Sequence, residues 1–182
     1  MVQRVLNRLI PSSSLPDELN NWTVHVIDED VQNAFVISGG EVFVFSGIFD
    51  VCQGDDGLAA VLGHEIAHNV ARHAVERMSS ASVLLLIAWL ASVSLGVDLE
   101  TGHVIVDLGF LRPGSRRQES EADYIDLMVL AQSCFNPEAA MAIWARTEKR
   151  EEFVPPQFLS THPSSPGRLE KTQAWLLEAE RR

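Results

Sequence analysis

The run His64-Glu65-Ile66-Ala67-His68 is the part of this sequence best suited to chemistry. Successive residues of a helix turn by about 100°, so positions i and i+4 lie about 40° apart on one face. His64 and His68 then project together, and two imidazoles at that spacing can share one zinc ion. Glu65 stands beside them, placed to take a proton from a zinc-bound water. Gly63 and Ala67 are small and would let another element approach the metal. A catalytic zinc needs a third protein ligand and one open position. The segment Glu119-Ser120-Glu121-Ala122-Asp123 offers a carboxylate. Glu119 and Asp123 share a helix face. Glu119 is the candidate third ligand, and Asp123, one turn on, can accept the outer N–H of a ligating histidine and fix its tautomer. Glu121 lies about 200° round from Glu119 and points elsewhere. Taken alone, this segment reads as a solvated acidic face; the H-E-I-A-H run tips the balance to a ligand. The expected cofactor is one Zn2+ per chain.

Four stretches together resemble the gluzincin metallopeptidases of family forty-eight, which include the CAAX prenyl proteases and the HtpX heat-shock proteases. They are N-A-F-V-I-S-G-G-E-V-F-V-F-S-G-I-F, L-G-H-E-I-A-H-N-V-A-R-H, S-R-R-Q-E-S-E-A-D-Y-I-D-L and S-T-H-P-S-S-P-G-R, in family order over nearly the whole chain. Through S-R-R-Q-E-S-E-A-D-Y-I and T-H-P the chain is most similar to the Oma-type branch. The resemblance implies a zinc metalloendopeptidase with His64, His68 and Glu119 as ligands and Glu65 as general base. It also implies a strand at Glu41, Val42, Phe43, Val44 and Phe45 that lines the cleft and pairs with an extended polypeptide substrate. His162, before Pro163, has three readings: an oxyanion donor, an occupant of the metal's open position, or a loop cap. The implied setting is the mitochondrial inner membrane or its intermembrane-space face, with a bacterial periplasmic or membrane-associated relative as the alternative. The family usually has glycine where this chain has Asp126, which bears on packing more than on catalysis.

The elements that must hold these residues can be read from periodicity. A short helix is expected over Val2–Ile10, ended by Pro11. Trp22–Ile27 reads as a strand by alternation and β-branched content. Ala34–Ile37 and Glu41–Phe45 read as two strands joined at Ser38-Gly39-Gly40, a hairpin signal. From Asp55 the period turns helical through Leu58, Val61, Leu62, Ile66 and Val70, and the helix is expected to reach about Met78. Asp55 and Asp56 suit its N-terminus. Further helices are expected over about 115–131, Pro137–Arg150 and Arg168–Glu180. The fold class is therefore α+β: a mainly helical, zincin-like single domain over residues 1–182, with a small β-sheet flanking the active-site helix.

Between Arg77 and Asp98 lie twenty uncharged residues, Met78–Val97. That is about 30 Å of helix, just enough to span a bilayer. A single crossing would separate His64 and His68 from Glu119, and residues 98–118 are too charged to cross back. The segment is expected to be a buried or membrane-peripheral helix or hairpin. Across 182 residues the net charge is −11, with 25 acids against 14 bases. That disfavours nucleic acid as a partner, since such binding rests on Lys and Arg neutralising phosphates. Two cysteines, Cys52 and Cys134, exclude a disulfide framework and a cysteine-only zinc site. Met1–Ile10 has no apolar core of a signal peptide, as expected of a processed form or a piece of a longer precursor. The partners expected are extended polypeptides and a membrane surface in peripheral contact, with self-association open. The rival reading is a catalytically latent zinc-binding or scaffold module at a membrane; the glutamate at 65 argues against it.

Overall fold

The computed structural model describes residues 1–13, 22–37, 39–96, 98, 100–101, 104, 111–150 and 168–179. It is mainly helical with one small sheet, the α+β class the sequence points to. Two compact units are distinguished: residues 1–71 with 121–182, and residues 72–120.

In the larger unit, α1 spans Val2–Ser12 and buries Val2, Val5, Leu6 and Leu9. The helix runs through Pro11 instead of stopping there. A proline in the last turn forfeits only one intrahelical bond, which the packing of the preceding turns outweighs. Three strands follow: β1 (Thr23–Ile27), β2 (Ala34–Ile37) and β3 (Glu41–Phe45), in the order β1-β3-β2. β1 runs parallel to β3, and β2 antiparallel, with Phe35 opposite Phe43 and Val36 opposite Val42. Gly39 and Gly40 take φ of 107° and 88° in the turn between β2 and β3, a region that residues with a Cβ rarely enter. Val42, Val44 and Ala34 face the core. On the opposite face His25, Phe43 and Phe35 stack in series, with centroids 4.6 and 4.9 Å apart.

A 3-10 turn and α2 (Phe49–Cys52) lead to the central helix α3 (Asp55–Val70). Its first turn carries Asp55 and Asp56, favourably placed at the positive end of the helix dipole. Every residue from Gly57 to His68 is buried. The apolar stripe predicts one buried face; burial all round follows because α1, α2, β2 and a later helix enclose α3. Arg4 of α1 grips Asp55 with two guanidinium nitrogens, at 2.6–2.9 Å. Four residues on, Arg8 donates to the carbonyls of Ser133 and Cys134 at 2.8 and 2.7 Å and stacks 3.7 Å over the Phe135 ring. Helix α3 ends at Val70, short of the expected Met78, because Arg72 adopts a left-handed conformation (φ 56°) that breaks the ladder.

After that break α4 (His73–Leu95) begins, and it is one continuous helix. It is long and apolar enough to cross a membrane. Most of its apolar side chains are exposed, Trp89 by 52% and Val93 by 69%, while Ala88 is buried and Leu84 half-buried on one face. Helix α5 spans Arg112–Gln132, α6 Glu138–Arg150 and α7 Arg168–Ala179.

Candidate metal centre

His64 and His68 lie in the last two turns of α3, four residues apart as the helical period requires. Both rings are buried, at 1% and 7% exposure. Their Nε2 atoms face one another 3.1 Å apart. Glu119 on α5 is equally buried, and one ligand atom from each of the three residues falls within 4.8 Å of the others. Two nitrogens each about 2.0–2.1 Å from a tetrahedral zinc would be about 3.3–3.4 Å apart, close to the observed separation. The set is two imidazoles and one carboxylate, converging in a buried place: the donor chemistry of a zinc site with room for a further ligand. Among the described residues it is the one His/Cys/Asp/Glu group that could hold a metal.

Asp123 follows Glu119 by one turn of α5, and its Oδ1 lies 3.2 Å from Nδ1 of His64. Nδ1 of His64 thus faces a buried carboxylate while Nε2 faces His68, the orientation that the ligand spacing calls for. Glu65 is buried at 6% exposure beside the ligand pair. Glu121 is exposed and outside the cluster. Gln118, just before Glu119, donates from Nε2 to Glu76 at 2.9 Å, tying the start of α5 to the first turn of α4.

The strand expectation needs correction. Glu41–Phe45 is the centre of the sheet, with β1 on one edge and β2 on the other. Its backbone groups are spent in two ladders, so Glu41, Val42, Phe43, Val44 and Phe45 offer no edge to a substrate strand. Glu41 is engaged with His25 at 2.6 Å and Phe43 in the ring stack. The strand beside α3 is β2, and among the described residues its outer edge carries no strand. His162 lies outside the described residues. His73, off the ligand face by spacing, is buried at the start of α4 and is not in the cluster. Asp126 is buried against the backbone of Gly63, where an added Cβ would collide with its carboxylate. Sequence reasoning passed over Asn69. Its signal was modest: a polar residue directly after the second histidine, on a helix otherwise enclosed by apolar groups.

The sequence profile of Peptidase family M48 matches residues 1–176. This chain belongs to that family. It is 46% identical over 181 residues to the mitochondrial metalloendopeptidase OMA1 of Schizosaccharomyces pombe, covering 98% of this chain and 53% of that one. The human mitochondrial metalloendopeptidase OMA1 is 34% identical over 164 residues, covering 82% of this chain and 31% of the relative. The β-barrel assembly-enhancing protease of Escherichia coli is 30% identical over 156 residues, covering 79% and 32%. The chain thus spans about half the length, or less, of these curated relatives. M48 membership makes the buried His64/His68/Glu119 cluster the metal centre to expect of a metallopeptidase.

Proposed function

We propose that this chain is the catalytic domain of a zinc-dependent metalloendopeptidase serving mitochondrial protein quality control and stress response. The observation that carries the reading is the buried convergence of His64, His68 and Glu119 with Glu65 next to the first ligand. His64, His68 and Glu119 would hold the zinc, which when bound polarises the scissile carbonyl and makes the attacking water more acidic. Glu65 accepts that water's proton and returns it to the leaving amine. Asp123 holds the His64 ring in its ligating tautomer. His162 either donates to the oxyanion or shields the metal at rest.

Substrate would bind extended along β2. The side chain of Asn69 donates to the Val36 carbonyl, so Val36 turns its backbone groups away from β3, and Ala34 does the same two residues earlier. That leaves an edge for main-chain pairing next to the helix that carries both histidines. The exposed apolar side chains of α4, Leu86, Trp89 and Val93 among them, fit contact with a lipid surface. Glu119 must rejoin His64 and His68, so contact from one side suits the chain better than a crossing. The 46% identity to a mitochondrial relative, against 30% to the bacterial one, supports a mitochondrial setting, and within it we assign the chain to the inner membrane or its intermembrane-space face on its family resemblance.

The test pairs zinc content with cleavage of unfolded casein, in the wild type and in Glu65→Gln. One zinc in each, with activity only in the wild type, is expected. Zinc in both and activity in neither would favour the latent zinc-binding module. No zinc uptake by either would refute the metal assignment.

A further inference from the structure

Asn69 occupies an unusual place. It is half-buried, follows the second histidine directly, and its Nδ2 donates to two carbonyls at 3.3 Å each. One is Glu65 O, one turn back on α3. The other is Val36 O, on the outer edge of β2 and 33 residues away. A single side-chain amide thus bridges the backbone of Glu65 and the strand edge that would receive substrate.

The edge has few groups to offer. In the antiparallel β2–β3 pair, Asn33 O accepts from Phe45 N and Ile37 O accepts from Gly40 N, so the odd-numbered residues face inward. Ala34 and Val36 face outward, which gives two N–H and two C=O groups over four residues. Asn69 takes one of those four, the Val36 carbonyl. A peptide adding to this edge then finds both N–H groups and the Ala34 carbonyl, and its own N–H opposite Val36 is refused a partner. A peptide backbone repeats the same groups along its length, so the filled carbonyl weighs on every register alike; what Asn69 fixes is where this edge sits against the helix that carries both histidines.

We propose that Asn69 is a positioning residue that locks β2 to the catalytic helix and so sets which peptide bond of an extended substrate meets the metal. This rests on the reading of β2 as the substrate edge. The lock itself is a separate matter, independent of catalysis. Without the amide donor this tie between Val36 and α3 is lost, and the edge is freer to shift against the metal.

Asn69→Ala and Asn69→Gln are compared with the wild type, each with zinc content and thermal unfolding measured first. Cleavage of one unfolded protein is mapped by mass spectrometry, and kcat/KM is measured for a short peptide and for one long enough to cover Ala34–Val36. With Asn69→Ala the expected result is unchanged zinc, new cleavage positions displaced along the chain, and about a tenfold loss in kcat/KM on the long peptide only, because a peptide held by a displaced edge presents its scissile bond out of place. Asn69→Gln keeps a donor and restores the wild-type map. An unchanged map, or equal losses on both peptides, overturns the positioning role. Amide exchange at Phe35 and Ile37, whose N–H groups face β3, reads the lock without any activity: faster exchange in Asn69→Ala supports it, and unchanged exchange overturns it. If the wild type cleaves nothing, the proposed function fails, and the exchange measurement still decides the lock.

Discussion

Replacing Gly63 with alanine sets two opposing effects against each other. Within a helix, alanine is better than glycine by about 0.8–1 kcal/mol. At this position, however, the new methyl meets the buried Asp126 carboxylate, with Asp126 Cγ at 3.3 Å and Leu9 Cδ2 at 4.0 Å behind it. Asp126 is 3% exposed on α5, so its short side chain cannot swing into solvent without moving the helix. Overpacking of this kind costs about 1–3 kcal/mol, and displacing a buried carboxylate from its partners costs about 1–3 kcal/mol more. The net expectation is a loss of about 1–5 kcal/mol, at about 2–4 °C of melting temperature per kcal/mol for a chain of this size. In an Asp126→Ala background the obstacle is gone, and Gly63→Ala becomes neutral or stabilising by up to about 1 kcal/mol. The assay is thermal unfolding of all four proteins of the cycle at equal zinc loading. The diagnostic is the reversal of sign. Equal destabilisation by Gly63→Ala in both backgrounds would refute the steric account.

Three further outcomes are expected. Glu119→Ala abolishes tight zinc binding in a metal titration while Glu121→Ala, at an exposed site outside the cluster, leaves it intact; equal losses would sink the ligand assignment. Burial pushes the Cys52 thiol up from 9.0 to about 12, so the folded chain is alkylated at the exposed Cys134 and spared at Cys52, as peptide mapping at pH 8 would show. Because the folded value is the higher one, that thiol's contribution to stability is complete below about pH 9 and is lost as the pH rises toward about 12. Trp89→Asp and Leu86→Asp, both at exposed positions of α4, should each weaken flotation with neutral phosphatidylcholine vesicles by about tenfold or more, since a large apolar side chain is worth about 1.5–3 kcal/mol on burial; unchanged flotation would remove α4 from the contact.

What could be read from residues alone follows a physical divide. The convergence of His64, His68 and Glu119 was readable because an i, i+4 pair and a carboxylate one turn before an aspartate are local patterns, and a helix turns local spacing into shared direction. The hairpin was readable for the same reason, through Gly39 and Gly40. Strand order was not. Nothing in Glu41–Phe45 announces that Thr23–Ile27 will pair with it in parallel, leaving β2 at the edge. That arrangement depends on contacts between distant segments, and the substrate-strand expectation failed there. The end of α3 at Val70 was hidden too, because the break is made by a left-handed Arg72, a residue type that carries no stop signal. Asn69 escaped notice because its partner Val36 is 33 residues away.

The two arginines of α1 bear on the order in which this domain is assembled. Arg4 reaches Asp55 across 51 residues, while Arg8 reaches Ser133 and Cys134 across 125 and 126. Closing loops of such length costs entropy that is recovered only when the contact is complete, and non-local contacts of this kind slow folding. Docking of α1 on α3 can precede the arrival of α5, but the Arg8 clasp cannot form until Cys134 is available. Glu119 and Asp123 lie on α5, the helix that leads into that clasp, so a chain interrupted before α5 would hold the two histidines without the carboxylate that completes the cluster.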